Sequence, residues 1–209
     1  MVRLTLESVA SFRNKGLEEI YRTGKTRRIG ADHVRKCVRI LQSLEVATQP
    51  DDMNVTGYRF HSLHGNPQRG SVRVTGNYRI TFGWSGENRT TSILRITIRE
   101  HEMERKNALP PVHPGEIIRE DILPEVGLSV TAAAKALGVS RQMVHDILAA
   151  RKPLSAVMCL KVSRLFGSTP EFWMRLQAEY DLKKAAQNKK VMKRVARIVP
   201  VRPLDEVRA

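Results

Sequence analysis

Two sets of side chains in this sequence have the types and spacing that work on a nucleic-acid backbone requires. The first is Ser140, Arg141, Gln142 and His145, followed by Arg151 and Lys152. Gln142 can pair bidentately with adenine, and Arg141 with guanine or a phosphate. Ser140, with the free amides of a helix start, can hold phosphate, as can Arg151 and Lys152 beyond the helix end. The second set is Arg73 and Arg79 with His61, His64 and His101. RNA cleavage by the 2′-hydroxyl needs cations to neutralise a pentavalent phosphate and a group to move protons. The arginines supply the first, and histidine, which titrates nearest neutrality, the second. A plainer reading stands beside each: a solvated helix face for residues 140–152, surface or structural roles for the histidines, and salt bridges to the other half of the chain for Arg73 and Arg79. No metal cluster appears and no cofactor is expected. Cys37 and Cys159 match no metal spacing and read as packing thiols inside helical patterns.

The elements that must position the first set are legible. In SVTAAAKALGVSRQMVHDILAARK, residues 129–152, a first helix ends at Leu137 and Gly138-Val139-Ser140 forms a three-residue turn before a second helix. Small Ala133 and Ala134 let the two helices approach, and Val144, Ile147 and Leu148 make an i, i+3, i+4 stripe that buries the second. The opposite face offers Arg141, Gln142 and His145 at its start, the geometry of a helix-turn-helix. Five helices are expected in this half, at about 114–123, 130–137, 140–149, 156–166 and 170–188. Pro114 opens the first and Pro124 is expected to stop it; Ser129, Ser140, Ser155 and Thr169 are the capping candidates for the others.

Upstream, the spacing predicts a short helix at 14–21 and a longer one at 31–47. In the longer one Val34, Val38, Leu41 and Leu44 face inward, with Arg35, Lys36 and Arg39 turned outward. Strand-like runs follow at 58–63, 71–75, 78–84 and 91–98. Val72 and Val74 must meet Ile80, Phe82 and Trp84, which is satisfied by residue 74 opposite residue 80 and a loop of Gly76-Asn77-Tyr78. Arg73, Thr75, Arg79 and Thr81 then share the other face. The fold class is α+β: an antiparallel sheet with two helices, followed by an all-α helix-turn-helix domain of five helices.

The chain has 209 residues and a net charge of +15. Residues 1–102 carry 17 basic and 10 acidic side chains and residues 103–209 carry 19 and 11, so both halves are cationic, as expected if each meets a polyanion. At 41% hydrophobic and 27% charged residues, the composition excludes disordered and fibrous classes. No apolar run approaches the ~20 residues that span a bilayer, and the first residues lack a signal-peptide core, so a cytoplasmic address and no membrane partner are expected.

HPGEIIREDILPEVGLSVTAAAKALGVSRQMVHDILAARKPLS with SRLFGSTPEFWMRLQAEYDLKKA, spanning about Val112–Gln187, resembles the HigA family of antitoxins with a Xre-type helix-turn-helix. The resemblance implies operator binding as a dimer, autorepression and toxin neutralisation. It keeps Ser140, Arg141, Gln142 and His145 as the base-reading candidates and makes 169–173 and the helix after it core and dimer contacts. Phe172, Trp173 and Leu176 read as core. One departure is that Ala132 and Ala133 stand where the family often has an acid, so no capping box forms.

SFRNKGLEEIYRTG, PDDMNVTGYRFHSLHG and SVRVTGNYRITFGW, within about Ser11–Trp84, resemble the HigB toxins of the RelE/ParE superfamily, which implies a ribosome-dependent mRNA endonuclease with a RelE-like sheet. The family's acidic-aromatic-histidine ending is missing from residues 87–102, where only His101 stands in. The resemblance fades by about Asn88 and resumes after Met103. The hypothesis that goes with this is a reading-frame change near residue 88 that fused toxin and antitoxin genes, testable in the coding DNA. The expected layout is a toxin domain at 1–102 with an atypical stretch at 88–102, a linker at 103–112, an antitoxin domain at 113–188 and a basic tail at 189–209. The expected function is a toxin–antitoxin fusion whose second half represses at operator DNA and neutralises the first, by contact within or between chains. The alternative is a working endonuclease, acting on mRNA at the ribosome, held in check by its own second half.

Overall fold

In a computed structural model of the chain, which describes residues 12–64, 68–85, 92–93 and 109–199, Asn14 opens α1 (Lys15–Thr23) by accepting the N–H groups of Gly16 and Leu17. α2 (Ala31–Val46) follows, then a 3-10 turn at Pro50–Met53. The strands β1 (His61–Leu63), β2 (Gln68–Arg73), β3 (Arg79–Ser85) and β4 (Ser92–Ile93) form one antiparallel sheet in the order β1-β2-β3-β4. Beyond it all described elements are helical, so the α+β architecture read from the sequence is the one observed.

Alternation assigns the faces correctly, and the register differs by two residues. Val72 pairs with Ile80 and Arg73 with Arg79, so the loop is the five residues 74–78, where the N–H groups of Val74 and Thr75 both donate to the Tyr78 carbonyl. A slip of two leaves every side chain on its own face, so Val72, Val74, Ile80 and Phe82 are buried as expected. The run at 58–63 is strand only from His61. Before it the chain turns, with the Tyr58 N–H bonded to the Val55 carbonyl and Arg59 at φ 42. Of the strand expected at 91–98, Ser92–Ile93 is described and the rest lies outside the described residues.

The second half opens with α3 (Pro114–Ile117), a wider π turn at Ile118–Ile122 and α4 (Leu123–Val126) in one continuous rod. Pro124 therefore does not stop the helix, which runs on to Val126. Proline lacks a donor and crowds the carbonyl four residues back; the π turn, closed by the Leu123 N–H on the Ile118 carbonyl, widens the helix just before it. Next come α5 (Val130–Leu137), α6 (Arg141–Leu148), α7 (Ala156–Phe166) and α8 (Pro170–Gln187), capped by Ser129, Ser140, Ser155 and Thr169 in turn. Asn188 then caps a further helix, α9 (Lys189–Val195), so the basic tail begins as a helix with no buried residue.

The two halves share a core. Every residue of α2 from Cys37 to Val46 is buried, which a helix lying on the protein surface does not permit. Ile40, Leu41 and Leu44 belong to the hydrophobic cluster, which continues into Ile117, Ile122, Phe172 and Trp173 of the second half. Polar side chains of α2 meet the second half as well. Arg39 corrects the expectation that it points to solvent: it is buried, and its Nε and Nη2 hold the two oxygens of Asp121 at 2.6 and 2.8 Å. Lys36 stands 3.7 Å from the same carboxylate. Gln42 accepts the Val112 N–H at 2.9 Å, and Lys183 reaches Glu45 at 3.3 Å. Below α2, fully buried Asp52 accepts from Thr169 at 2.8 Å and Arg175 at 2.5 Å. At Gly57, φ is +94 and a Cβ would stand 2.1 Å from the Asp121 carbonyl, so only glycine admits this approach.

Candidate nucleic-acid interface

α6 is held by its apolar side, its end and its neighbour. Val144, Ile147 and Leu148 are buried against Ala133, Ala134 and Leu137 of α5. Arg119 Nη1 donates to the Leu148 carbonyl at 2.7 Å, closing the C-terminal end. Gly115 lies so near that a Cβ would meet the Ile147 carbonyl at 2.0 Å. Ser140 caps the other end by accepting the Met143 N–H at 3.1 Å. This leaves Arg141, Gln142 and His145 exposed along the first turns, with Arg151 and Lys152 exposed just past the end.

Asp146 ties these groups together, and sequence reasoning missed it. Its carboxylate accepts from Gln142 Nε2 at 2.9 Å and Arg151 Nε at 3.1 Å, with Lys152 Nζ at 3.5 Å. The Arg151 hydrogen bond, aided by Gln142 and Lys152, holds the carboxyl below its ordinary value. Arg151 Nη2 also lies 2.7 Å from His145 Nδ1. Guanidinium only donates, so Nδ1 is the acceptor in this contact. The signal was in the sequence: Gln142 and Asp146 are four apart, the spacing at which helical side chains touch.

The second set lies on the sheet. Pairing of His61 with Ser71, Ser71 with Thr81 and Arg73 with Arg79 puts His61, Arg73 and Arg79 on one face. Arg79 is fixed by its own sheet: Nε donates to Ser71 Oγ at 3.1 Å, and Nη2 to the carbonyls of Arg59 at 2.7 Å and Ser71 at 3.2 Å. Arg73 instead reaches across to the second half, where its Nη2 meets Glu125 Oε2 at 2.5 Å. The other oxygen of Glu125 is taken by Arg59 at 2.5 Å. Arg59, Arg73 and a nearby Lys36 hold the Glu125 carboxyl below the usual carboxylate range, the Arg59 hydrogen bond contributing most. The sequence pattern hides Arg59 by running it into a strand. His64 is exposed beyond β1, and its carbonyl accepts from Arg69 at 3.2 Å. His101 lies outside the described residues.

Among the described residues no group of three or more His, Cys, Asp or Glu side chains is placed to hold a metal ion, and no helix is long and apolar enough to cross a membrane. Burial pushes the thiols of Cys37 and Cys159 up to about 11.

Residues 10–95 match the family of RelE-like toxins of the type II toxin–antitoxin system HigB, and residues 118–173 match the helix-turn-helix family. The first match runs to residue 95, past Asn88, where the resemblance was expected to fade. Endoribonuclease HigB of Proteus vulgaris is 33% identical over 75 residues, covering 35% of this chain and 82% of that protein. Antitoxin HigA-1 of Vibrio cholerae is 35% identical over 78 residues, covering 37% of this chain and 73% of that protein. The solved structure of Pseudomonas aeruginosa antitoxin HigA with the higBA promoter is 41% identical, with a TM-score of 0.39, and covers 44% of this chain and 99% of its own.

Proposed function

We propose, for a chain that belongs to the HigB-like toxins in its first half and to the HigA antitoxins in its second, that it is a toxin–antitoxin fusion whose second half represses transcription at operator DNA and restrains the first. The observation that carries the repressor reading is α6, buried along one side and presenting Arg141, Gln142 and His145 at its exposed start. Inserted in a major groove, these side chains meet base edges while Ser140, Arg151 and Lys152 lie near phosphates. The layout that goes with this is a toxin domain at 1–102, a linker at 103–112, an antitoxin domain at 113–188 and a tail at 189–209, working as a dimer on paired half-sites in the cytoplasm. The test is a gel shift of the DNA upstream of its own gene. Binding is expected to weaken as salt rises, and Arg141→Ala and Gln142→Ala are each expected to cost about 1–3 kcal/mol of specific affinity. Unchanged binding by both variants removes α6 from the recognition role.

A second reading, an mRNA endonuclease restrained by its own antitoxin half, is supported by the face that carries His61, Arg73 and Arg79. Tethering keeps the restraint at roughly millimolar effective concentration. Expression of residues 1–102 alone is then expected to arrest growth, and Arg79→Ala to relieve the arrest. A harmless fragment would leave the first half as an interaction module.

A further inference from the structure

Glu125 bridges two arginines across the junction of the two halves. It comes from α4 of the antitoxin half and lies over the arginine face of the sheet, with one carboxylate oxygen on Arg59 and the other on Arg73, each at 2.5 Å. Two guanidinium groups that divide two oxygens of one anion form the fork suited to the non-bridging oxygens of a phosphodiester. The fork is built into the sheet. Arg73 is a β2 residue paired with Arg79, and Arg79 holds the Arg59 carbonyl at 2.7 Å, in a segment where Arg59 takes a positive φ of 42. A non-glycine residue held in that region marks a position fixed by its surroundings. The same face carries His61 and Ser71 one pair along. The two halves are joined elsewhere by their own ion pairs, Arg39 with Asp121, both buried, and half-buried Arg175 with buried Asp52.

We propose that Arg59 and Arg73 form a binding site for a phosphodiester of single-stranded RNA, and that Glu125 fills it as an internal stand-in for that phosphate. RNA enters only when the Glu125 carboxylate leaves, so the antitoxin half restrains the sheet by competing for its anion site. This rests on the reading of the second half as the restraint on the first and deepens it, and it is independent of operator recognition by α6.

The full-length chain tests it by fluorescence anisotropy with a short labelled RNA carrying 2′-O-methyl groups, which cannot be cleaved through its 2′-oxygen. Glu125→Gln removes the competing charge and keeps the shape. It is expected to bind the RNA about tenfold more tightly than the parent chain, the scale of one charge-assisted hydrogen bond. Adding Arg59→Ala and Arg73→Ala to that variant is expected to abolish the gain. Glu171→Gln makes the same change in net charge at an exposed residue of α8 and is expected to leave RNA affinity unchanged. Equal affinity of Glu125→Gln and the parent overturns the proposal. So does a gain that survives loss of both arginines, or an equal gain from Glu171→Gln. Circular dichroism melts confirm that each variant is folded. If the operator shift fails while Glu125→Gln gains RNA affinity, the repressor reading falls and this site stands.

Discussion

Arg39 and Asp121 are both buried and meet through two hydrogen bonds, so removing either partner leaves the other a buried charge with only a longer contact, Lys36 at 3.7 Å from Asp121 or Glu116 at 3.6 Å from Arg39. Arg39→Ala or Asp121→Ala is expected to cost about 3–5 kcal/mol of unfolding free energy, measured by urea denaturation of the full chain. The sequence points Arg39 outward because hydrophobic periodicity identifies one buried side of a helix. A second buried side lined with charges has the same pattern as a solvated one, and only its partner, 82 residues away, tells them apart. The cysteines were legible, since small apolar-like residues inside two helical patterns need no distant partner to be placed. With their thiols at about 11, a thiol reagent at pH 8 is expected to modify neither in the native chain and both in denaturant. Rapid native labelling would contradict their burial.

At the scale of elements, local chemistry made the helix-turn-helix readable almost to the residue. Ser140 and Ser129 cap, the Gly138 turn separates α5 from α6, and three apolar residues bury α6, all within one short stretch of sequence. Ser140→Ala is expected to destabilise the second half by about 1 kcal/mol, read from its thermal midpoint. What the stretch could not reveal is its support from outside, the Arg119 bond to the Leu148 carbonyl and the close approach at Gly115. The hairpin between β2 and β3 was half legible for a related reason. Alternation fixes parity, and a shift of two residues preserves it, so the five-residue turn was decided by backbone bonds of Tyr78 that the side-chain pattern does not encode. Helix continuity through Pro124 likewise depended on a π turn, whose hydrogen-bond pattern no side-chain period announces.

Across the whole molecule, pH acts through groups whose ionisation differs between folded and unfolded chains. His113 is buried, accepts the Gly115 N–H on Nδ1 and packs edge-on against Tyr180; burial lowers its value from 6.5. The unfolded chain therefore takes up a proton first as pH falls below 6.5, and stability is lost from there until the folded histidine also protonates. Glu125 is lowered as well, so its contribution is complete above the ordinary carboxylate range and is lost as pH falls through the folded value. Urea midpoints are expected to decline from pH 7.5 to 5.5, and His113→Asn, which keeps a capping acceptor, is expected to flatten that first decline. A midpoint independent of pH across that interval would exclude the histidine as its source.

The burial of α2 on all sides from Cys37 to Val46 has a consequence for how such a pair is inherited. Two proteins made separately can drift in their ratio, and a cell can release one by degrading the other. Here both coverings of one helix arrive in a single round of translation, in equal number by construction. In this structure the seat on α2 is occupied by the chain's own second half. Selection at each α2 position must satisfy neighbours from both halves of the chain at once, and a mutation tolerated by one half can still be vetoed by the other.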